Sequence, residues 1–237
     1  MAQIGELWLP DVLLNEEYAQ GLIHDYFRRD STGYLYSGAM FDTYPADPAS
    51  DITAPPSPPD EITDSDLIAL SMLGIRVTGY EALIITQGRR KEIETLLASI
   101  PPDAHIEQEA SGRLLVPEGY AWKLWELLRE TKDRTKEARF GAVAAGKLLA
   151  RKRPHLIPIE DSQIAAVFRR TTPDRDKRWW DDVHSAALDP SPAANGTTLW
   201  CYLARLRDQA SQDHLPVLRV LDIIGWMHAR RDPAAPT

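Results

Sequence analysis

Cysteine is almost missing from this chain: among 237 residues only Cys201 carries a thiol. One thiol excludes a disulfide framework, a cysteine-ligated zinc finger and an iron–sulfur cluster. Long apolar runs are missing too. None approaches the ~18 residues of a membrane span. Met1–Leu14 holds Glu6, Pro10 and Asp11 and has no Lys or Arg ahead of its apolar residues, which is unlike a secretory leader. A cytoplasmic location with no membrane partner is therefore expected. The six histidines (24, 105, 155, 184, 214 and 228) show neither close metal-ligand spacing nor HExxH. Walker, GxGxxG and GxSxG patterns do not occur, so no metal or other cofactor is expected. Glycine (13) and proline (18) are too scarce for collagen or overall low complexity.

What is present is ordinary globular material, 43% hydrophobic and 26% charged. The charge is unevenly placed. Net charge is −8, which argues against a general nucleic-acid binder. Residues 123–178, however, hold 15 Lys and Arg against 8 Asp and Glu, while the remainder holds 12 against 27. Phosphate binding needs a local basic face more than a basic total. A solvated helical surface is the plainer reading of the same stretch.

Helical periodicity dominates. Residues 15–29 carry an apolar stripe of Tyr18, Leu22, Ile23, Tyr26 and Phe27. Residues 30–44 are irregular or hairpin-like. Residues 45–60 contain six prolines and read as a loop. Thr63 is placed to cap a helix bearing Leu67, Ile68, Leu70, Met72 and Leu73, ended by Gly74. Thr78 and Glu81 fit a capping box. The following helix is expected to break near Gly88. Further helices are expected from Pro117, over 140–151, over Asp161–Arg170, and over Trp179–Leu188, Thr198–Gln209 and Pro216–Arg230. Alternating strand patterns are nearly absent. The fold class is therefore mainly α, with room for two lobes. The linear division is 1–44 (helix plus irregular Gly/Tyr-rich segment), 45–60 (Pro-rich loop), 61–232 (helical core) and 233–237 (disordered tail).

One segment carries chemical interest. Residues 138–164 read ARFGAVAAGKLLARKRPHLIPIEDSQI. Lys132–Lys136 makes a turn, and Gly141 opens a helix of small residues. The first amides of that helix, at Gly141, Ala142 and Val143, are suited to phosphate oxygens, helped by the helix dipole. Lys147, Arg151, Lys152 and Arg153 add positive charge. Asp161 then heads the next helix.

This segment resembles the helix-hairpin-helix base-excision DNA glycosylase superfamily, over about 30 residues. Gly141 is similar to the hairpin glycine. Asp161, 20 residues on, is similar to the catalytic aspartate, followed by Ser162-Gln163-Ile164. Arg139 stands where the family often has a second glycine. Val143 stands where bifunctional members carry lysine, so the resemblance implies a helix-hairpin-helix glycosylase-like helical fold with its core over 61–232, and a monofunctional glycosylase or an inert relative, with DNA as partner. In such chemistry a carboxylate stabilises the cationic sugar or activates water, and the flipped base lies against an aromatic ring. Trp179, Trp180 and Tyr36 are candidates for stacking, with Tyr34 and Phe41 beside them. A wider likeness, through YLYSGAMFDTY, ITDSDLIALSMLGIRV, AWKLWELL, KLLARKRPHLIPIEDSQI, RWWDDVHSAAL and LRVLDIIGWM, resembles a bacterial family of unknown function.

Plainer readings stand beside each of these. Asp161 reads equally as a helix cap. Trp179 and Trp180 read as core anchors, and Trp122 and Trp125 as core residues. Arg151–Arg153 reads as a solvated helix end. Asp222 reads as an ion-pair partner of Arg219 or Arg205. Cys201 reads as an inert core thiol. The chain is thus expected to be a DNA-binding relative of glycosylases, or a catalytically inert module for nucleic acid or protein.

Overall fold

The computed structural model describes residues 1–48, 50–55, 57–131, 140–168 and 178–231. In chain order these form β1 (Ala2–Ile4), β2 (Leu7–Leu9), α1 (Glu16–Tyr26), β3 (Arg29–Asp30), β4 (Gly33–Tyr34), α2 (Asp64–Met72), α3 (Gly79–Leu83), α4 (Arg90–Ala98), α5 (Gly112–Leu115), α6 (Tyr120–Arg129), α7 (Gly141–Lys152), α8 (Ser162–Val167), α9 (Arg178–Leu188), α10 (Leu199–Gln209) and α11 (Val217–Arg231). The protein is mainly α, as its periodicity predicts. No helix among the described residues is long and apolar enough to cross a membrane.

The helices fall into two compact units that do not follow the linear order. The first takes Met1–Leu35, His105–Gly112 and Pro154–Thr237, and the second Tyr36–Ala104 and Arg113–Arg153. The stretch 61–232, expected as one core, therefore contributes to both. The expected tail 233–237, the turn at Lys132–Lys136 and the end of the Asp161–Arg170 helix lie outside the described residues.

The first unit is built around α11, which packs against α1, α8 and α10. Leu218, Val220, Leu221, Ile223, Ile224 and Met227 are all buried. Gly225 lets α8 come close: a Cβ there would lie 2.9 Å from the Phe168 ring and 3.2 Å from Ile164 Cδ1. Tyr202 is buried on α10 and its hydroxyl donates to the Leu13 carbonyl at 2.9 Å. Burial first, then the nearby Glu16, pushes the phenol up to about 12. Two small antiparallel ribbons complete the unit, β1 with β2 and β3 with β4. The β1–β2 ribbon was not signalled by the sequence. Leu7 and Leu9 bury one face of a strand only three residues long, too short for an alternating pattern to register.

The second unit centres on α6 and α7, with α2 against α7 and α4 against α6. Small Ala144 and Ala145 are buried on α7, and Trp125 of α6 donates from Nε1 to the Ala142 carbonyl at 3.0 Å. Burying an indole of this size stabilises by roughly 1.5–3 kcal/mol or more. Trp122, expected in the core, is only half-buried. Thr63 and Asp66 cap α2 reciprocally, and Thr78 and Glu81 cap α3 in the same way. The break near Gly88 is a π-turn over Ile84–Gly88.

Candidate functional site

The start of α7 is set by backbone geometry. The Phe140 amide donates to the Thr131 carbonyl at 3.0 Å. Phe140 is buried, and Gly141 then adopts φ +73° before the helix proceeds. That left-handed conformation suits glycine, although a Cβ at this position would meet nothing within 4 Å. Phe140, at the N-cap position, makes no side-chain capping hydrogen bond among the described residues. Gly141, Ala142 and Val143 are half-exposed.

The basic residues that follow turn the other way. Lys147 is 5% exposed and donates to the Leu73 carbonyl at 3.1 Å. Arg151 meets Asp66 Oδ1 at 3.3 Å and donates to the carbonyls of Phe41 and Tyr44. Lys152 reaches Asp66 Oδ2 at 2.9 Å, Ser57 Oγ at 2.9 Å and the Pro58 carbonyl at 2.7 Å. Arg153 has no exposed surface. It donates to the carbonyls of Ile100, Leu97 and Pro59, and meets Asp60 at 2.6 Å. It thereby places a cation on the carbonyl end of α4, where the dipole favours one. Burial pushes the Lys152 ammonium down, with the Asp66 charge opposing. Burial alone would raise the Asp66 carboxyl, but the Thr63 amide, Lys152 and Ser57 outweigh it and hold it below the usual range. The expectation of a phosphate-facing run is corrected here: Lys147, Arg151, Lys152 and Arg153 fasten the Pro-rich loop and helix ends of their own unit. Buried cations need such partners.

In the first unit, Asp161 heads α8 and its Oδ1 accepts from the amides of Gln163 and Ile164, each at 3.1 Å. The carboxylate turns back onto its own helix. Trp179 and Trp180 are 0% and 1% exposed. Trp179 donates to the Ile159 carbonyl at 2.9 Å and its ring lies 5.1 Å from that of Phe168. Both indoles therefore serve the core and offer no face to a base, which corrects the stacking reading. Phe41 is fully buried, while Tyr34 and Tyr36 are half-buried, Tyr34 in the first unit and Tyr36 in the second. Asp222 pairs with Arg219 at 2.6 Å and accepts from the Ile159 amide. Cys201 is exposed rather than in the core, because the inward stripe of α10 is Leu199, Tyr202, Leu203 and Leu206.

Among the described residues no group of three or more His, Cys, Asp or Glu could hold a metal ion. Two shallow grooves mark the second unit. One, of about 630 Å³, runs between Lys91, Glu92 and Leu96 of α4 and Lys123, Glu126 and Leu127 of α6. The other, of about 430 Å³, has an apolar floor of Leu67, Ile68, Ile75, Val77 and Ala82. Neither contains a residue nominated from sequence.

With this geometry in view, comparison with known proteins gives one match. A family of unknown function, DUF6308, covers residues 19–229, and the chain belongs to it. No curated protein and no solved structure matches.

Proposed function

We propose that the protein is a helical binding module for a nucleic-acid phosphate backbone, without base-removing activity. The observation that carries this reading is the first turn of α7, with its glycine at φ +73° and an N-cap residue, Phe140, that makes no side-chain cap among the described residues. Gly141, Ala142 and Val143 are half-exposed there, at the positive end of a 12-residue helix, which favours an anion. The resemblance of residues 138–164 to DNA glycosylases adds to it. So does the sequence just before the turn, where Lys132, Arg134, Lys136 and Arg139 stand. The inert half of the reading rests on Asp161, whose carboxylate caps its own helix.

Duplex binding followed by fluorescence anisotropy at 50 and 200 mM salt tests the first half. Ala142→Asp is the decisive variant. An acid in the first turn favours the helix but repels a phosphate, so thermal stability holds while affinity falls about tenfold or more. Unchanged affinity sinks the reading. A second reading, a monofunctional glycosylase using Asp161, is favoured by the carboxylate's half-exposed position at a helix head. Duplexes carrying single damaged bases, treated with alkali after incubation, separate the two. Strand breaks that disappear in Asp161→Asn establish the enzyme, because Asn still caps the helix.

A further inference from the structure

A different surface, in the first unit, combines aromatic rings with arginines. The end of α1, the β3–β4 ribbon and the last turns of α11 bring four rings into sequence. Trp226 lies 6.1 Å from Tyr26, Tyr26 lies 5.1 Å from Phe27, and Phe27 lies 6.5 Å from Tyr34, all edge to face. An arginine stands over the ring at each end: Arg29 over Tyr34 at 4.3 Å and Arg230 over Trp226 at 4.9 Å. Tyr26 is buried and anchors the row. Phe27, Tyr34 and Trp226 are half-exposed, and Arg28, Arg29 and Arg230 are exposed. Two acids are also present. Asp25 is paired with Arg231, whose hydrogen bond holds its carboxyl low. Asp30 accepts from the Thr32 amide and hydroxyl. Among the described residues, Arg28, Arg29, Arg230 and Arg231 stand beside these two acids.

We infer that this row of rings, flanked by arginines, is a binding surface for single-stranded nucleic acid. Three features carry the inference. The chain as a whole is acidic, at −8, so a local excess of arginine over half-exposed rings is not a by-product of composition. Guanidinium groups lying over rings, as Arg29 and Arg230 do, add cation–π contact to a stacking surface and bring charge near the flanking phosphates. Rings at successive positions with cations at both ends match how unpaired bases are held, by stacking plus backbone charge. A paired duplex offers no free base faces, so this surface is separate from the α7 turn and stands whether or not that turn binds DNA.

The test is anisotropy of labelled oligo-dT, with an abasic strand of equal length and heparin as probes. Trp226→Ala should weaken dT binding by roughly 5- to 150-fold, the loss of one stacked base. Trp226 also packs on Tyr26, so Tyr34→Ala, on a two-residue ribbon, is the parallel variant, with its thermal melt compared with that of the wild type. Arg29→Gln with Arg230→Gln should flatten the salt dependence by about 1.4, two contacts at about 0.7 each. The inference is overturned if Tyr34→Ala binds dT as wild type does. It is overturned equally if the abasic strand or heparin binds as tightly as dT, because the surface would then be a plain polyanion or acidic-protein site.

Discussion

Asp66 accepts from Arg151, Lys152, Ser57 and the Thr63 amide with no exposed side-chain surface. Replacing it leaves two buried cations without their anion. Asp66→Asn is therefore expected to lose about 3–5 kcal/mol, read from urea unfolding. Its pH signature follows from the same contacts. The carboxyl is held low in the folded state, so its stabilisation is present above the ordinary carboxylate range and is lost as pH falls through the depressed folded value. Wild type should weaken steeply on acidification below about pH 4, in the range where ordinary carboxyls protonate, whereas Asp66→Asn should show a flatter acid limb. An unaltered limb would place the acid sensitivity elsewhere. Asp161 differs in kind: its partners are two amides of its own short helix. Asp161→Ala should cost about 1 kcal/mol and Asp161→Asn a few tenths, a contrast that thermal melts resolve.

At the scale of the element, the short-range signals are the ones the sequence displays. Thr63 with Asp66 and Thr78 with Glu81 are three residues apart, and both boxes form. The stripe on α1 is visible because period 3.6 repeats over eleven residues, and Leu22, Ile23 and Tyr26 bury as it implies. Cys201 was misplaced because its neighbours Trp200 and Tyr202 look apolar, while Tyr202 lies on the inward face of α10 and Cys201 does not. The basic run shows the opposite failure. Arg151 and Lys152 find Asp66 across 85 and 86 residues, and Arg153 finds the end of α4 more than 50 residues away. No local pattern announces such partners, and a charged helix end looks the same whether it meets water or a distant carboxylate. Tyr34 is legible in the sequence as a stacking candidate, but Trp226 and the arginines that complete its row are not, for the same reason: α1 and α11 lie about two hundred positions apart. Gly225 shows how tightly one of these long-range fits is made. Gly225→Val should drive branches into Phe168 and Ile164 and destabilise by about 1–3 kcal/mol or more, measured by thermal or urea unfolding.

Across the whole molecule, the question is where positive charge remains available in a chain of net −8. Residues 123–178 carry a local excess of cations, but Lys147, Arg151, Lys152 and Arg153 have their donors on carbonyls and carboxylates of their own unit. The phosphate-facing charge is therefore smaller than the count of Lys and Arg implies. Duplex affinity as a function of salt measures it. Each cation that displaces counterions contributes about 0.9 to the slope of log K against log salt. Four exposed cations in this run would contribute about 3.6, and buried ones contribute none. Arg151→Gln should consequently lower the midpoint of unfolding while leaving the slope for duplex binding unchanged at a temperature where the variant is folded. A slope flattened by about 0.9 in that variant would return Arg151 to the phosphate-facing surface. It would also contradict the contacts of Arg151 with Asp66 and with the carbonyls of Phe41 and Tyr44. The experiment thus asks whether the basic run serves the fold or the ligand, and the geometry of the second unit assigns it to the fold.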